Sequence, residues 1–256
     1  MRVLRLLWVG LRFHVKTLTL SMFFLLTSIF MPVLVATVAF YMFKAGGRPG
    51  TLFYASLGAA VYGIWSSTLF GSGGAIQWQR WQGTLELLIA APAPFIVVLL
   101  PLTIATSTVG LYALGTTLIW GRLFFGIPLH LAHPFLFALA VPATVLGLGL
   151  LGLLLASTFV LYRYANALSN LLEYPVWLVT GLLVPISLLP GWTHPIAWAL
   201  APTWGIRAVR EAALGGSPWE PIALCLGLGV VYFGLAALFL RKFEELARVR
   251  ATLALT

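Results

Sequence analysis

The chain has 256 residues, of which 61% are hydrophobic and only 8% charged, with a net charge of +9. At a mean hydropathy of +1.02 it holds too much apolar side chain for one soluble core of this size, so lipid must act as its solvent. Nucleic acid is not the expected partner, because the basic residues are spread among segments that flank apolar runs and make no continuous patch.

Within hydrocarbon, backbone groups must satisfy one another, which leaves helices of roughly 20 residues or closed barrel strands of roughly 10. The apolar runs far exceed strand length and show no period-two alternation. The expected fold is an all-α integral membrane protein forming a single transmembrane domain, 1–256.

In segment 1–19, Leu4, Leu7, Trp8, Leu11, Val15 and Leu18 share one helical face, while Arg2, Arg5, Arg12 and Lys16 gather on another. An amphipathic interfacial helix fits this pattern, as does a basic flank that anchors the first span. A cleaved signal peptide is not expected, since the run that follows is long enough to remain as a span. Six transmembrane helices are predicted, over 20–43, 52–76, 95–120, 135–162, 171–189 and 221–240. Pro101, Pro142 and Pro185 lie inside or near the ends of these runs, where proline frees a carbonyl and kinks a helix.

Between the second and third runs lies a polar island, QRWQGTLELLIAAP, 79–92. Trp78, Trp81, Leu85, Leu88 and Ile89 recur at helical spacing, and Gln79, Gln82, Thr84 and Glu86 make the remaining surface polar. A short helix over 77–92 lying along the membrane is expected, and a plain turn of the chain is the alternative. Just before it, Gly71, Gly73 and Gly74 point to close helix packing or a hinge.

Within the second run, Tyr62, Trp65 and Phe70 either line a hydrophobic path or face lipid. His130 and His133 lie between the third and fourth runs, but two ligands in a chain without aspartate make an incomplete metal site, so no metal is expected. In the fifth run, Glu173 lies near Asn166 and Asn170. An ionisable side chain at membrane depth costs roughly 2.5 to 3.5 kcal/mol on insertion scales, which suggests a gate or substrate contact. A carboxylate near a helix N-terminus is the structural alternative.

Segment 190–218 is too rich in proline and glycine for one span and is expected to form short outer helices that re-enter the membrane. Trp192, Trp198 and Trp204 suit that depth, with Arg207, Arg210 and Glu211 as anchors at the outer rim. Cys225 is the single cysteine, which excludes an intramolecular disulfide and favours a small buried apolar role. Segment 241–256 forms the tail.

Six spans put both termini on one side. Arg2, Arg5, Arg12, Lys16, Arg80, Arg163, Arg241, Lys242, Arg248 and Arg250 fall on that side, against Lys44, Arg48, Arg122, Arg207 and Arg210 on the other. The termini and the island are therefore expected in the cytoplasm. Of the six acidic residues, only Glu173 comes near a span interior, so no catalytic residues are expected. A G-x-x-x-x-G-K-[ST] sequence is absent as well, so any ATP must be bound by another chain.

Arg80, Gly83, Thr84, Leu85, Glu86, Leu88 and Pro92 match the pattern E-R-x-x-G-T-L-E-x-L-x-x-x-P, and the island thereby resembles the cytoplasmic motif of ABC type-2 transporter permeases. Segment 180–216 is similar to that family's fifth span and outer segment, including Gly181, Pro185, Pro190, Pro202, Arg207, Arg210 and Glu211. The resemblance implies that the island is a cytoplasmic coupling helix docking on an ABC ATPase subunit, with Gln79, Arg80, Gly83, Thr84, Leu85, Glu86 and Leu88 at the contact. ATP and Mg would sit on that partner, and none on this chain.

It further implies a plasma-membrane exporter of a hydrophobic or amphipathic substrate, a drug, antibiotic or lipid-like compound, working by alternating access as a pair of permeases. Gln79 stands where the family often has an acidic residue, and Leu100 and Pro101 where it often has Gly-Lys. A second, nonidentical permease carrying the fuller motif would account for these departures. The alternative from another class is an ATP-independent channel or structural membrane subunit, in which the island is only an interfacial turn. No inverted repeat points to a secondary transporter.

Overall fold

The computed structural model describes residues 2–46, 51–84, 87–88, 94–160 and 165–250, and no strand occurs among them. Helix α1, Arg2–Leu20, stops at Ser21, whose hydroxyl accepts from the Phe24 amide at 3.4 Å and caps α2, Met22–Ala45. Helix α3 runs Leu52–Trp81. Helices α4, Phe95–Val109, and α5, Leu111–Phe125, meet at Gly110. Helix α6, Pro134–Phe159, carries proline in its first turn, where no backbone donor is lost.

Helix α7 spans Ala165–Val179. Two 3-10 turns, Ile186–Leu188 and Gly191–Thr193, lead to α8, His194–Trp198, and α9, Ala201–Leu214, before the long α10, Trp219–Arg250.

Among the described residues, four stretches are long and apolar enough to cross a membrane: Phe24–Ala45, Phe95–Phe125, Pro134–Phe159 and Trp219–Glu245. The second and fifth predicted runs differ from these in physical character. Helix α3 has 30 residues, about 45 Å, but buries Ser56, Ser67, Thr68, Ser72 and Gln77 along its length. Helix α7 has only 15 residues, about 22 Å, and ends ten residues before the expected boundary at 189. Gly181 takes a left-handed φ of +79° there, and Pro185 follows outside any helix, so an apolar sequence continues without a helical backbone.

Helices α3 and α6 form the centre. Helix α6 packs on α3, α4, α9 and α10, and α3 also packs on α2, α5 and α7. Close approach rests on small residues, as expected where lipid gives no hydrophobic drive between helices. A Cβ on Gly71 would lie 2.4 Å from Thr106, and one on Gly147 would lie 2.4 Å from Cys225, which is buried as expected. Hydroxyls add polar links between α3 and α4: Ser67 donates to the Thr106 carbonyl at 3.0 Å, and Thr68 and Ser107 share a bond of 2.8 Å.

Helix α1 lies along α4, with Gly10 against Pro101. Its expected apolar face is divided. Leu7, Leu11, Val15 and Leu18 are half-buried, while Leu4 and Trp8 are exposed together with Leu6, Val9 and Phe13. Apolar side chains left outside the bundle suit a helix that also touches lipid.

Candidate functional site

Chemistry-bearing residues collect at three levels of the bundle: the island after α3, the α3–α7 contact, and a cavity beside the start of α3.

Helix α3 ends at the island. Gly83 takes φ +67° with open space around it, so glycine serves the backbone turn there and not a tight contact. Its N–H donates to the Arg80 carbonyl at 3.1 Å, and the Thr84 N–H donates to the Gln79 carbonyl at 3.0 Å. These two bonds form a Schellman close. The Thr84 hydroxyl also bonds the Gln79 side chain. The helix expected over 77–92 is thus divided: Trp78 and Trp81 stay on α3 as an exposed edge-to-face pair, and the Leu88 amide bonds back to the Thr84 carbonyl at 3.1 Å. Leu85, Glu86 and 89–93 lie outside the described residues.

Both flanks of the island are tied to other helices. Arg80 Nη2 donates to the carbonyl of Val160, the cap of α6, at 2.7 Å. Beyond the island, Glu244 of α10 accepts the Phe95 amide of the first turn of α4 at 2.6 Å. A carboxylate there satisfies an orphan donor and faces the positive end of the helix dipole. The sequence reading missed Glu244. Its signal is an acidic residue just past the last apolar turn of a span, on the side where another span begins after Pro94.

At the middle level, Tyr62 donates to Glu173 Oε1 at 2.8 Å and Ser66 to the same oxygen at 3.0 Å. Both Tyr62 and Glu173 are buried, and Trp177 stands edge-on to Tyr62 at 6.1 Å. No ion pair among the described residues includes Glu173. A Cβ on Gly73 would lie 2.5 Å from Ser169 Oγ, which is how α7 comes close enough for these bonds. The structure therefore brings Tyr62 and Glu173 together. Of the other predicted path residues, Trp65 is enclosed in the core with its indole N–H unpartnered, Asn170 is on an exposed face, and the side chain of Asn166 lies outside the described residues.

At the far end of α3, Arg210 is buried where an outer-rim anchor was expected; Arg207 is exposed and pairs with Glu211 at 2.7 Å. The reason is helical phase. Arg210 shares the inward face of α9 with Ile206, Val209 and Ala213, all buried. Its Nη1 donates to Tyr54 Oη at 2.8 Å and to the Gly181 carbonyl at 2.7 Å, and its Nη2 donates to the Leu182 carbonyl at 2.6 Å and the Tyr54 carbonyl at 3.4 Å. The Tyr54 ring lies 3.4 Å from the guanidinium carbon.

As a guanidinium, Arg210 stays cationic at neutral pH. This side chain supplies the partners that the non-helical backbone after α7 lacks. A Cβ on Gly58 would lie 1.8 Å from the Leu182 carbonyl, so only glycine admits that segment. Beside it lies a cavity of about 430 Å³, lined by Tyr54, Ile186, Trp198, Trp204, Arg207 and Arg210 among others.

A family model described as ABC-2 type transporter matches residues 5–214, from α1 to the last residue of α9. The chain belongs to the ABC-2 type transporter family. It is accordingly a permease, the multi-pass membrane subunit of an ABC transporter and not itself the catalytic part. Among curated proteins no relative matches the permease.

Proposed function

We propose that the permease couples ATP hydrolysis on a separate subunit to the export of a hydrophobic or amphipathic substrate across the plasma membrane, with the island as the coupling element. The observation that carries this reading is the pair of tethers on its flanks, Arg80 to the end of α6 and Glu244 to the start of α4. A push delivered to 82–93 by a docked ATPase would reach α3, α4, α6 and α10 at once. Glu86 and Leu85 supply the contact, with ATP and Mg held by the partner.

Six crossings are proposed, formed by α2, α3, α4 with α5, α6, α7 with the segment after it, and α10. The crossing at α7 needs non-helical backbone at membrane depth, which is tolerated where protein buries and satisfies it; the Arg210 bonds to Gly181 and Leu182 meet that requirement. The excess of basic residues beside the island and near the termini supports a cytoplasmic placement for both. Two permeases, identical or not, would rock between inward- and outward-open forms, with Tyr62 and Glu173 on the moving path.

The test is co-purification with the partner ATPase and measurement of ATP turnover. Wild type should assemble and stimulate turnover, while Glu86→Arg should lose that stimulation with its own fold intact. Failure of any ATPase to bind wild type would favour the channel or structural reading.

A further inference from the structure

The cavity beside α9 has chemistry that transport in general does not require. A guanidinium carries five N–H donors. Arg210 places the four on its Nη atoms against Tyr54, Gly181 and Leu182, and its buried Nε has no partner. None of the acceptors is a carboxylate, so the positive charge is met only by dipoles and an aromatic face. Arg207 and Glu211 also line the cavity and neutralise each other, and Glu220 approaches Arg207 only at 4.0 Å. Among the described residues the lining is therefore one cation in excess. Around this charge stand Trp198, Trp204, Ile186 and Ile206, a wall suited to hydrocarbon.

We infer that this cavity binds the anionic head of an amphipathic molecule, with Arg210 supplying the uncompensated charge and the tryptophan and isoleucine wall taking its apolar part. The guanidinium is held in place before any ligand arrives, which lowers the ordering cost of binding. The inference deepens the transport reading, and rests on it, in one respect: it narrows the cargo to anionic amphipaths. Binding itself requires no ATPase.

The test is equilibrium dialysis of radiolabelled dodecyl phosphate against the full permease in phosphatidylcholine nanodiscs, with empty discs as blank. One saturable site per chain is expected, displaced poorly by inorganic phosphate or by dodecyl maltoside. Arg207→Gln, at an exposed position, leaves Glu211 uncompensated and should weaken binding about 10-fold, equivalent to one decade in Kd. Arg210→Gln should abolish it, and if that variant does not fold, Arg207→Gln carries the test alone. Equal displacement by dodecyl maltoside would reduce the cavity to an apolar void, and equal displacement by inorganic phosphate would reduce it to a simple anion site. Either result, or unchanged affinity in Arg207→Gln, would overturn the inference. ATP turnover of the assembled complex is measured separately, so failure of the anion site and failure of coupling give different results.

Discussion

Arg80 and Arg210 sit near opposite ends of the bundle and do the same elementary thing, donating to backbone carbonyls where a helix has stopped. Arg80 is half-buried and reaches the capping residue of α6; Arg210 is enclosed and holds the irregular backbone after α7 together with Tyr54. Their surroundings give them different consequences. A half-exposed hydrogen bond exchanges with water and nets about 1 kcal/mol, whereas removing a buried donor leaves each acceptor short by about 1 to 3 kcal/mol. The α9 end is thus fixed by burial, and the island end is tied by contacts that can give under load.

The comparison breaks most visibly at the α9 end. Arg210→Ala strands the Gly181 and Leu182 carbonyls and should cost more than about 3 kcal/mol, read as a large fall in the unfolding midpoint of the purified permease. Arg210→Lys should recover little, because an ammonium cannot reproduce the planar fork. Gly58→Ala drives a methyl into the Leu182 carbonyl and should cost about 2 to 3 kcal/mol by overpacking.

At the island end the stability effects are smaller and the functional ones larger. Glu244→Ala removes a cap worth about 1 kcal/mol, yet should lower partner-stimulated ATP turnover well beyond that loss. Gly83→Ala meets no neighbour and should cost about 1 kcal/mol through its left-handed backbone alone. Glu173→Gln keeps an acceptor for Tyr62 and Ser66, so stability should change by less than about 1 kcal/mol. Lost transport in that folded variant would assign Glu173 to the gate, and wild-type transport would leave it a structural link between α3 and α7.

Apolar runs made the helical class and the position of most helices legible, because hydropathy records which residues leave water. Hydropathy does not record backbone geometry. The stretch TGLLVPISLLP after Tyr174, Pro175, Val176, Trp177, Leu178 and Val179 is as apolar as a span, and only Gly181 and Pro185 betray its irregularity. Across the island, a matching apolar spacing hid a break, since Gly83 turns the chain between Trp81 and Leu88.

Site residues followed the same division. Tyr62 and Glu173 were each legible as unusual, but their bond depends on the approach of α7 at Gly73, which sequence spacing within one helix does not reveal. Arg210 was legible in principle, because it falls on the face of Ile206, Val209 and Ala213 while Arg207 and Glu211 form an i,i+4 pair on another. Its partners after α7 were not.

The central claim, that the island is the ATPase contact, is tested most directly by cysteine crosslinking in a Cys225→Ala background. Leu87 and Trp192 are similarly exposed, at 71% and 70%, and lie before α4 and after α7 respectively. With an ATPase subunit carrying a cysteine in its docking surface and a short bismaleimide to bridge the two thiols, Leu87→Cys should crosslink, with a yield that changes on addition of ATP, and Trp192→Cys should not. A complex that forms normally but crosslinks equally from both positions, or not at all from Leu87→Cys, would contradict the account.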